Sequence, residues 1–356
     1  MKKILHVTNR LSEGGVETFL LNLLPELNSL GYKVDLLVLD KNELLMKSQF
    51  IQCGINVIIT PYKSIYDIRN IFFLSRVFKK YDLIHSHLFP SQYYVAISSL
   101  LTKKKIVTTE HCTINKRRKW LYWPLEFFIY SLYNSIVGVS EAASTNLKRW
   151  IPTVSKKIIT IFNGIELKTF SSNSSLSKTD IGLNDSDFMI VMTARFFEQK
   201  DHSSVISALT YLTPDVKVVF IGSGERMQEC QELALNLDVY DRVLFLGRRN
   251  DVASIIKTSD ICVLSTHYEG LPVSIIEYMS VGKAIIATNV DGVNEMIDAH
   301  FLFQENNPKD LSDKILLLKN NPHLRKLQAE KNKNNSEKFN LIMMINEYDS
   351  LYRKLS

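Results

Sequence analysis

Two carboxylates eight positions apart, Glu269 and Glu277, bracket a turn made of Gly270, Leu271 and Pro272. Just before them an apolar run, Ile261 to Leu264, reads as a buried strand. Helical spacing starts near Val273, and Ala284 to Ala287 reads as a second buried strand. Glu269 therefore belongs to a loop beyond a strand end, and Glu277 lies about one turn into the helix that follows. The amides and the dipole at the start of a helix favour phosphate. A carboxylate one turn further along can accept two hydrogen bonds from a vicinal diol such as a ribose. Phosphate-binding amides flanked by two carboxylates are what a nucleotide sugar needs.

Other chemically suggestive residues also fall at predicted strand ends. His111 follows the run Ile106 to Thr109, which puts it on the ligand-binding edge of a doubly wound sheet. Gly14-Gly15 lies between the strand-like Ile4 to Thr8 and a helix marked by Val16, Phe19, Leu20, Leu23, Leu24 and Leu27. Strand, glycine turn and helix suit a phosphate. The pair is not the G-x-G-x-x-G fingerprint of dinucleotide sites. His85 and His87 alternate and point to one face, but no third metal ligand is evident near them. Lining of the site, or hydrogen bonds in the core, is the expectation for both.

In that setting Glu269-Gly270-Leu271-Pro272 and Glu277 resemble the E-x7-E signature of glycosyltransferase family 4, a retaining family with the GT-B fold. Further segments resemble the family's landmarks, and in its order. They are Gly14-Gly15-Val16-Glu17, Asp82 to His87, Thr109-Glu110-His111, Ser140-Glu141, Asn163-Gly164-Ile165, the pair Arg195 and Lys200, Gly222-Ser223-Gly224, and Gly247-Arg248-Arg249. One departure is Asn294, where the family commonly has proline before Glu295.

The resemblance implies two doubly wound α/β domains facing each other across a cleft. Residues 1–170 would bind the acceptor and 171–338 the nucleotide sugar, with 339–356 a helix returning to the first domain. His111 would contact the transferred sugar and its developing charge, and Glu269 the sugar hydroxyls. Arg195 and Lys200 would clamp the donor diphosphate, because fixed cations stabilise the charge gained by a leaving group. Gly15, Gly222, Arg248, Gly270, Leu271, Pro272 and Val273 would complete the donor site, with Glu277 on the ribose. The reaction implied is transfer from an NDP-sugar, most commonly a UDP-sugar in this family, to a hydroxyl of a glycan or lipid-linked acceptor in surface polysaccharide or glycolipid synthesis. No protein nucleophile and no cofactor is needed. Asp185-Ser186-Asp187 precedes a strand, at the end opposite the ligand edge, so metal independence is expected. Competing readings are an NDP-sugar epimerase of the same fold and a non-catalytic sugar-nucleotide-binding subunit. The intact set of Glu269, Glu277, Arg195, Lys200 and His111 speaks against the latter.

The elements that position these residues are legible too. A chain of 356 residues with 46% apolar content suits two domains. Short apolar strands alternate with helices through the second half, the pattern of a parallel, helix-covered sheet. Ser171 to Thr179 is polar and serine-rich, which marks a linker. Leu324 to Ser356 reads as helical. Four cysteines without C-x-x-C spacing fit a reducing compartment. The amino terminus runs directly into a strand, so the cytoplasm is expected.

Charge is uneven. Residues 1–170 hold 23 Lys/Arg against 12 Asp/Glu, whereas the remainder holds 20 against 25. Lys116, Arg117, Arg118 and Lys119 precede Trp120 and Trp123, the composition of a segment lying on an anionic membrane surface. Pro124, Glu126 and Asn134 interrupt the apolar stretch that follows, so it does not span. No nucleic-acid motif accompanies the basic residues, and nucleic acid is not an expected partner. The expected location is the cytoplasm, peripheral on the inner face of the cell membrane.

Overall fold

The computed structural model describes residues 1–12, 14–113, 115, 117–171 and 174–355, without the side chains of Thr169 and Ser171. The chain divides into two compact units, Met1–Gly164 with Leu341–Ser356, and Ile165–Asn340.

The first unit holds seven strands: β1 (Lys3–Thr8), β2 (Lys33–Val38), β3 (Asn56–Ile59), β4 (Leu83–His87), β5 (Lys105–Glu110), β6 (Ser135–Gly138) and β7 (Ile158–Thr160). Their order is β3-β2-β1-β4-β5-β6-β7, all parallel. Ile4, Leu5 and Val7 of β1 are all fully buried, because helices cover both faces of the sheet. One core packs Phe19, Leu20, Leu23, Leu24 and Leu27 of helix Gly15–Ser29 with Met344, Ile345, Tyr348, Leu351 and Tyr352 of the last helix, Leu341–Lys354. The other packs Leu74, Phe78, Val95, Ile129 and Tyr130.

The second unit repeats the plan with β8 (Phe188–Thr193), β9 (Val216–Ile221), β10 (Val243–Phe245), β11 (Ile261–Leu264), β12 (Ile285–Thr288) and β13 (Leu302–Phe303). Here the order is β10-β9-β8-β11-β12-β13, again all parallel. In each unit the winding reverses at the first strand: between β1 and β4, and between β8 and β11. Ligands of open α/β sheets bind at the carboxyl ends of strands beside such reversals.

The chain passes from one unit to the other at Gly164, six residues before the boundary expected from composition. Ile165 N–H donates to Phe339 O at 3.0 Å, and Leu167 is buried, which ties 165–171 to the second unit. The serine-rich stretch is thus a loop inside that unit. The terminal helical run is broken in two, Pro322–Ser336 and Leu341–Lys354, where Asn340 turns extended and the chain passes back.

Candidate functional site

In the second unit two loops meet at the sheet reversal. The loop after β8 carries Arg195 and Lys200; the loop after β11 carries Glu269 and Gly270. Lys200 Nζ pairs with Glu269 Oε1, and Thr266 Oγ1 donates to the same oxygen at 3.0 Å. Residues assigned to different parts of the donor are therefore in direct contact. A lysine has three donor hydrogens, so Lys200 can serve Glu269 and a phosphate together. The backbone locks the loops to each other: His267 N–H donates to Gln199 O at 2.8 Å, and Gln199 Nε2 to Tyr268 O at 2.6 Å. Arg195 is exposed, with its guanidinium 4.7 Å from the centre of the Phe197 ring.

Leu271 and Pro272 are buried, and Pro272 leads extended into helix Val273–Ser280. Glu277 sits on that helix, half-buried, with no side-chain hydrogen bond among the described residues. Burial pushes its carboxyl up to about 7. An acid kept this far from its ordinary range, and without a hydrogen-bond partner among the described residues, is suited to accept hydrogen bonds from a ligand.

Glycines let these loops close. Gly222, at φ +146°, would drive a Cβ into the Ala194 carbonyl oxygen, and a Cβ on Gly224 would lie 2.5 Å from Phe196 O. Gly292, at φ +84°, lies under the acidic loop: its Cβ would come within 2.6 Å of Gly270 O and 2.7 Å of Glu269 O. Nothing local in the sequence links Gly292 to Gly270, 22 residues earlier. Arg248 is exposed and donates from Nε to Ser223 Oγ at 2.8 Å, beside the Gly222 turn. Asp187 accepts from Asn184 N–H at 2.8 Å in the turn before β8.

In the first unit His111 follows β5 and lines a cavity with Phe89, Gln92, Glu110, Asn115 and Arg117. Glu110 accepts from Gln92 Nε2 at 2.8 Å and from the Tyr130 hydroxyl. Burial pushes His111 down to about 3, so its ring is neutral at ordinary pH. Gly15 opens its helix with nothing within 4 Å of where a Cβ would stand.

His87 joins His111, and the third histidine, not evident near His85 and His87 along the chain, is His6 of β1. His6, His85 and His87 can each offer one ring nitrogen so that the three atoms lie within 4.8 Å of one another. That is metal-site spacing, yet every one of those nitrogens is already in a hydrogen bond. No carboxylate belongs to the group, so a divalent ion would bring uncompensated charge into the core. Hydrogen bonding accounts for the cluster better.

The basic segment needs correcting. Lys116 lies outside the described residues. Arg117 is not a solvated cation: its Nε donates to the fully buried Glu126 at 3.0 Å, and its guanidinium lies 4.2 Å from the Phe89 ring centre. Arg118 is half-buried and donates to Thr113 O at 2.9 Å. Lys119 is exposed. Trp120, Leu121, Tyr122, Trp123, Leu125 and Phe128 are exposed as well, on the short 3-10 turn Trp120–Tyr122 and helix Trp123–Leu132. Among the described residues no helix is long and apolar enough to cross a membrane.

Comparison with known proteins agrees across the chain. A family model described as Glycosyltransferase Family 4 matches residues 13–169, and one described as Glycosyl transferases group 1 matches 174–337. The UDP-Gal:alpha-D-GlcNAc-diphosphoundecaprenol alpha-1,3-galactosyltransferase of Escherichia coli is 28% identical over 66% of this chain and 65% of its own length, just under two thirds. The N-acetyl-alpha-D-glucosaminyl L-malate synthase of Bacillus anthracis is 25% identical over 76% of this chain and 74% of its own. Among solved structures, Anabaena HepE in complex with UDP-glucose has a TM-score of 0.87 at 18% identity, covering 99% of this chain and 100% of that one. Two parallel-sheet units of this kind make a GT-B fold.

Proposed function

The chain belongs to glycosyltransferase family 4, and from that premise we propose that it transfers a sugar from a UDP-sugar, with retained anomeric configuration, to a hydroxyl of a lipid-linked or glycan acceptor. The observation that carries this reading is the sheet reversal of the second unit, where Lys200 touches Glu269 and Glu277, without a side-chain hydrogen bond among the described residues, sits on the adjoining helix. UDP is favoured by the ligand of the HepE structure and by the donor in the Escherichia coli relative's name.

In this reading Glu277 takes the ribose hydroxyls, and the amides opening helix Val273–Ser280 face the diphosphate. Arg195 and Lys200 stabilise the charge gathering there as the bond from the anomeric carbon to the phosphate oxygen breaks. Glu269 holds the sugar hydroxyls. The acceptor oxygen bonds to the anomeric carbon on the face the phosphate leaves, and its proton passes to a phosphate oxygen. These steps use two side-chain cations and call for no metal. His111 and the cavity beside it belong to the first unit, which is assigned to the acceptor.

A lipid-linked acceptor is favoured over a soluble one by the exposed row from Trp120 to Phe128. Such an array suits the surface where a lipid carrier resides. The test is UDP release from a panel of UDP-sugars, with and without undecaprenyl-diphosphate-linked sugars. Release that depends on acceptor supports transfer. A changed UDP-sugar without acceptor would mean an epimerase, and binding without turnover a non-catalytic subunit.

A further inference from the structure

An unbroken file of hydrogen bonds runs through the first unit from His111 to the last helix. His111 Nε2 lies 3.1 Å from His87 Nδ1, and His87 Nε2 lies 3.0 Å from His6 Nδ1. His6 Nε2 is 3.4 Å from the Tyr352 hydroxyl, which is 2.6 Å from His85 Nδ1. His85 Nε2 is 2.8 Å from Thr109 Oγ1, and that oxygen is 3.3 Å from the Tyr348 hydroxyl. All members but His111 are fully buried. Burial holds the imidazoles neutral, with His6 and His111 pushed down to about 3 and His85 and His87 well below the usual histidine range.

A neutral imidazole has one N–H and one accepting nitrogen, so through each ring one link dictates the next. The file has two unbroken senses, in each of which every hydroxyl accepts from one neighbour and donates to the other. Its far end chooses between them. The Tyr348 hydroxyl is buried, and Thr109 Oγ1 is the acceptor it has among the described residues. A buried donor left unpaired bears the full penalty of its lost hydration. With Tyr348 donating, the Thr109 hydroxyl donates to His85 Nε2, and His85 Nδ1–H to the Tyr352 oxygen. Tyr352 then donates to His6 Nε2, His6 Nδ1–H to His87 Nε2, and His87 Nδ1–H to His111 Nε2. His111 is left with its proton on Nδ1.

We propose that the last helix, through Tyr348 and Tyr352, fixes the tautomer of His111, so that its ring offers an Nδ1–H donor, and not a base, to an oxygen of the bound sugar. The identity of that ligand rests on the glycosyl-transfer reading; the tautomer does not. Tyr348, Tyr352, Thr109, His85, His6 and His87 are then positioning residues. Their spacing in sequence hides the file, since its members come from β1, β4, β5 and the final helix.

The experiment uses the full chain labelled with 15N-histidine and long-range 15N–1H correlation spectra, with His111 identified by the signals lost in His111→Gln. The expected wild-type spectrum has a protonated Nδ1 and an unprotonated Nε2 at His111 near neutral pH. Tyr348→Phe removes only the hydroxyl that sets the sense. Both senses then become populated, and the His111 nitrogens should move to averaged positions. If only one sense is active, an equal mixture lowers turnover by about twofold. Tyr352→Phe cuts the file and should give the same averaging. A wild-type His111 protonated on Nε2 would overturn the proposal, whether or not the variants fold. So would His111 signals that stay put in both variants. If the tautomer is as stated but no UDP-sugar is turned over, the functional reading falls and the file stands.

Discussion

At the scale of single residues, Glu277 makes the sharpest claim. Its free carboxyl titrates at about 7 because of burial. Ribose hydroxyls donating to it favour the charged form, so binding lowers its pKa and releases a proton. Affinity for UDP-glucose should therefore rise with pH through the region of 7 and level off above it. Calorimetry in two buffers of different ionisation enthalpy should show proton release, which Glu277→Gln abolishes. Glu277→Ala should weaken UDP binding by about tenfold to a hundredfold, the worth of a charged hydrogen bond of roughly 1.5–3 kcal/mol. Unchanged affinity would remove Glu277 from the ribose. Arg195 and Lys200 should part company. Either alanine variant should cut turnover by roughly 10²–10³, by analogy with lost oxyanion donors. Arg195 is exposed, and its loss should leave stability within about 0.5 kcal/mol. Lys200 pairs with a carboxylate only 9% exposed, so Lys200→Ala strands that charge and should also cost about 3 kcal/mol in urea unfolding. Equal stability of the two variants would mean that the Lys200–Glu269 pair is not formed in solution.

At the scale of elements, strands were the easiest part to read. A parallel sheet covered on both faces demands continuous apolar runs, and Ile261–Leu264 has the observed bounds. Loops were legible where chemistry and spacing lie within one stretch, as from Glu269 to Glu277. They were opaque where support comes from elsewhere, as with Gly292. The terminal helices looked like one because their break at Glu337–Asn340 carries neither glycine nor proline. Two glycines separate scaffold from ligand contact. Gly222→Ala meets the Ala194 carbonyl at a positive φ, so it should lower Tm by several degrees and take UDP binding with it. Gly15→Ala has open space, and its stability should change by less than about 0.5 kcal/mol. If a donor approaches the Gly15 backbone, that variant should nonetheless raise the KM for the UDP-sugar. An unchanged KM would take Gly15 out of the donor site.

At the scale of the molecule, composition recovered two domains but put their boundary at a loop inside the second unit. Unit membership depends on pairings such as Ile165 with Phe339, which no local composition reveals. The same limit misjudged the basic segment, and this changes how membrane attachment should be tested. Four solvated cations would supply roughly 4 kcal/mol on an anionic surface, all of it sensitive to salt. Of the described three, only Lys119 is free of structural duty; Arg117 is spent on buried Glu126 and Arg118 on Thr113. What remains is apolar. Trp120 is 83% exposed and Leu121 65%. Helix Ser91–Thr102, which packs on Trp123–Leu132, ends in exposed Leu100 and Leu101 and runs into exposed Lys103 and Lys105. Full burial of each such large side chain contributes about 1.5–3 kcal/mol. Sedimentation with anionic vesicles should therefore persist in part at about 1 M salt, where screening falls to about 3 Å. Trp120→Ala with Leu121→Ala should abolish it without loss of folding stability. Arg117→Gln should do the reverse, keeping vesicle binding while lowering stability by about 3 kcal/mol through the stranded Glu126. Wild type that ignores anionic vesicles at low salt would end the membrane reading and make a soluble acceptor the better assignment.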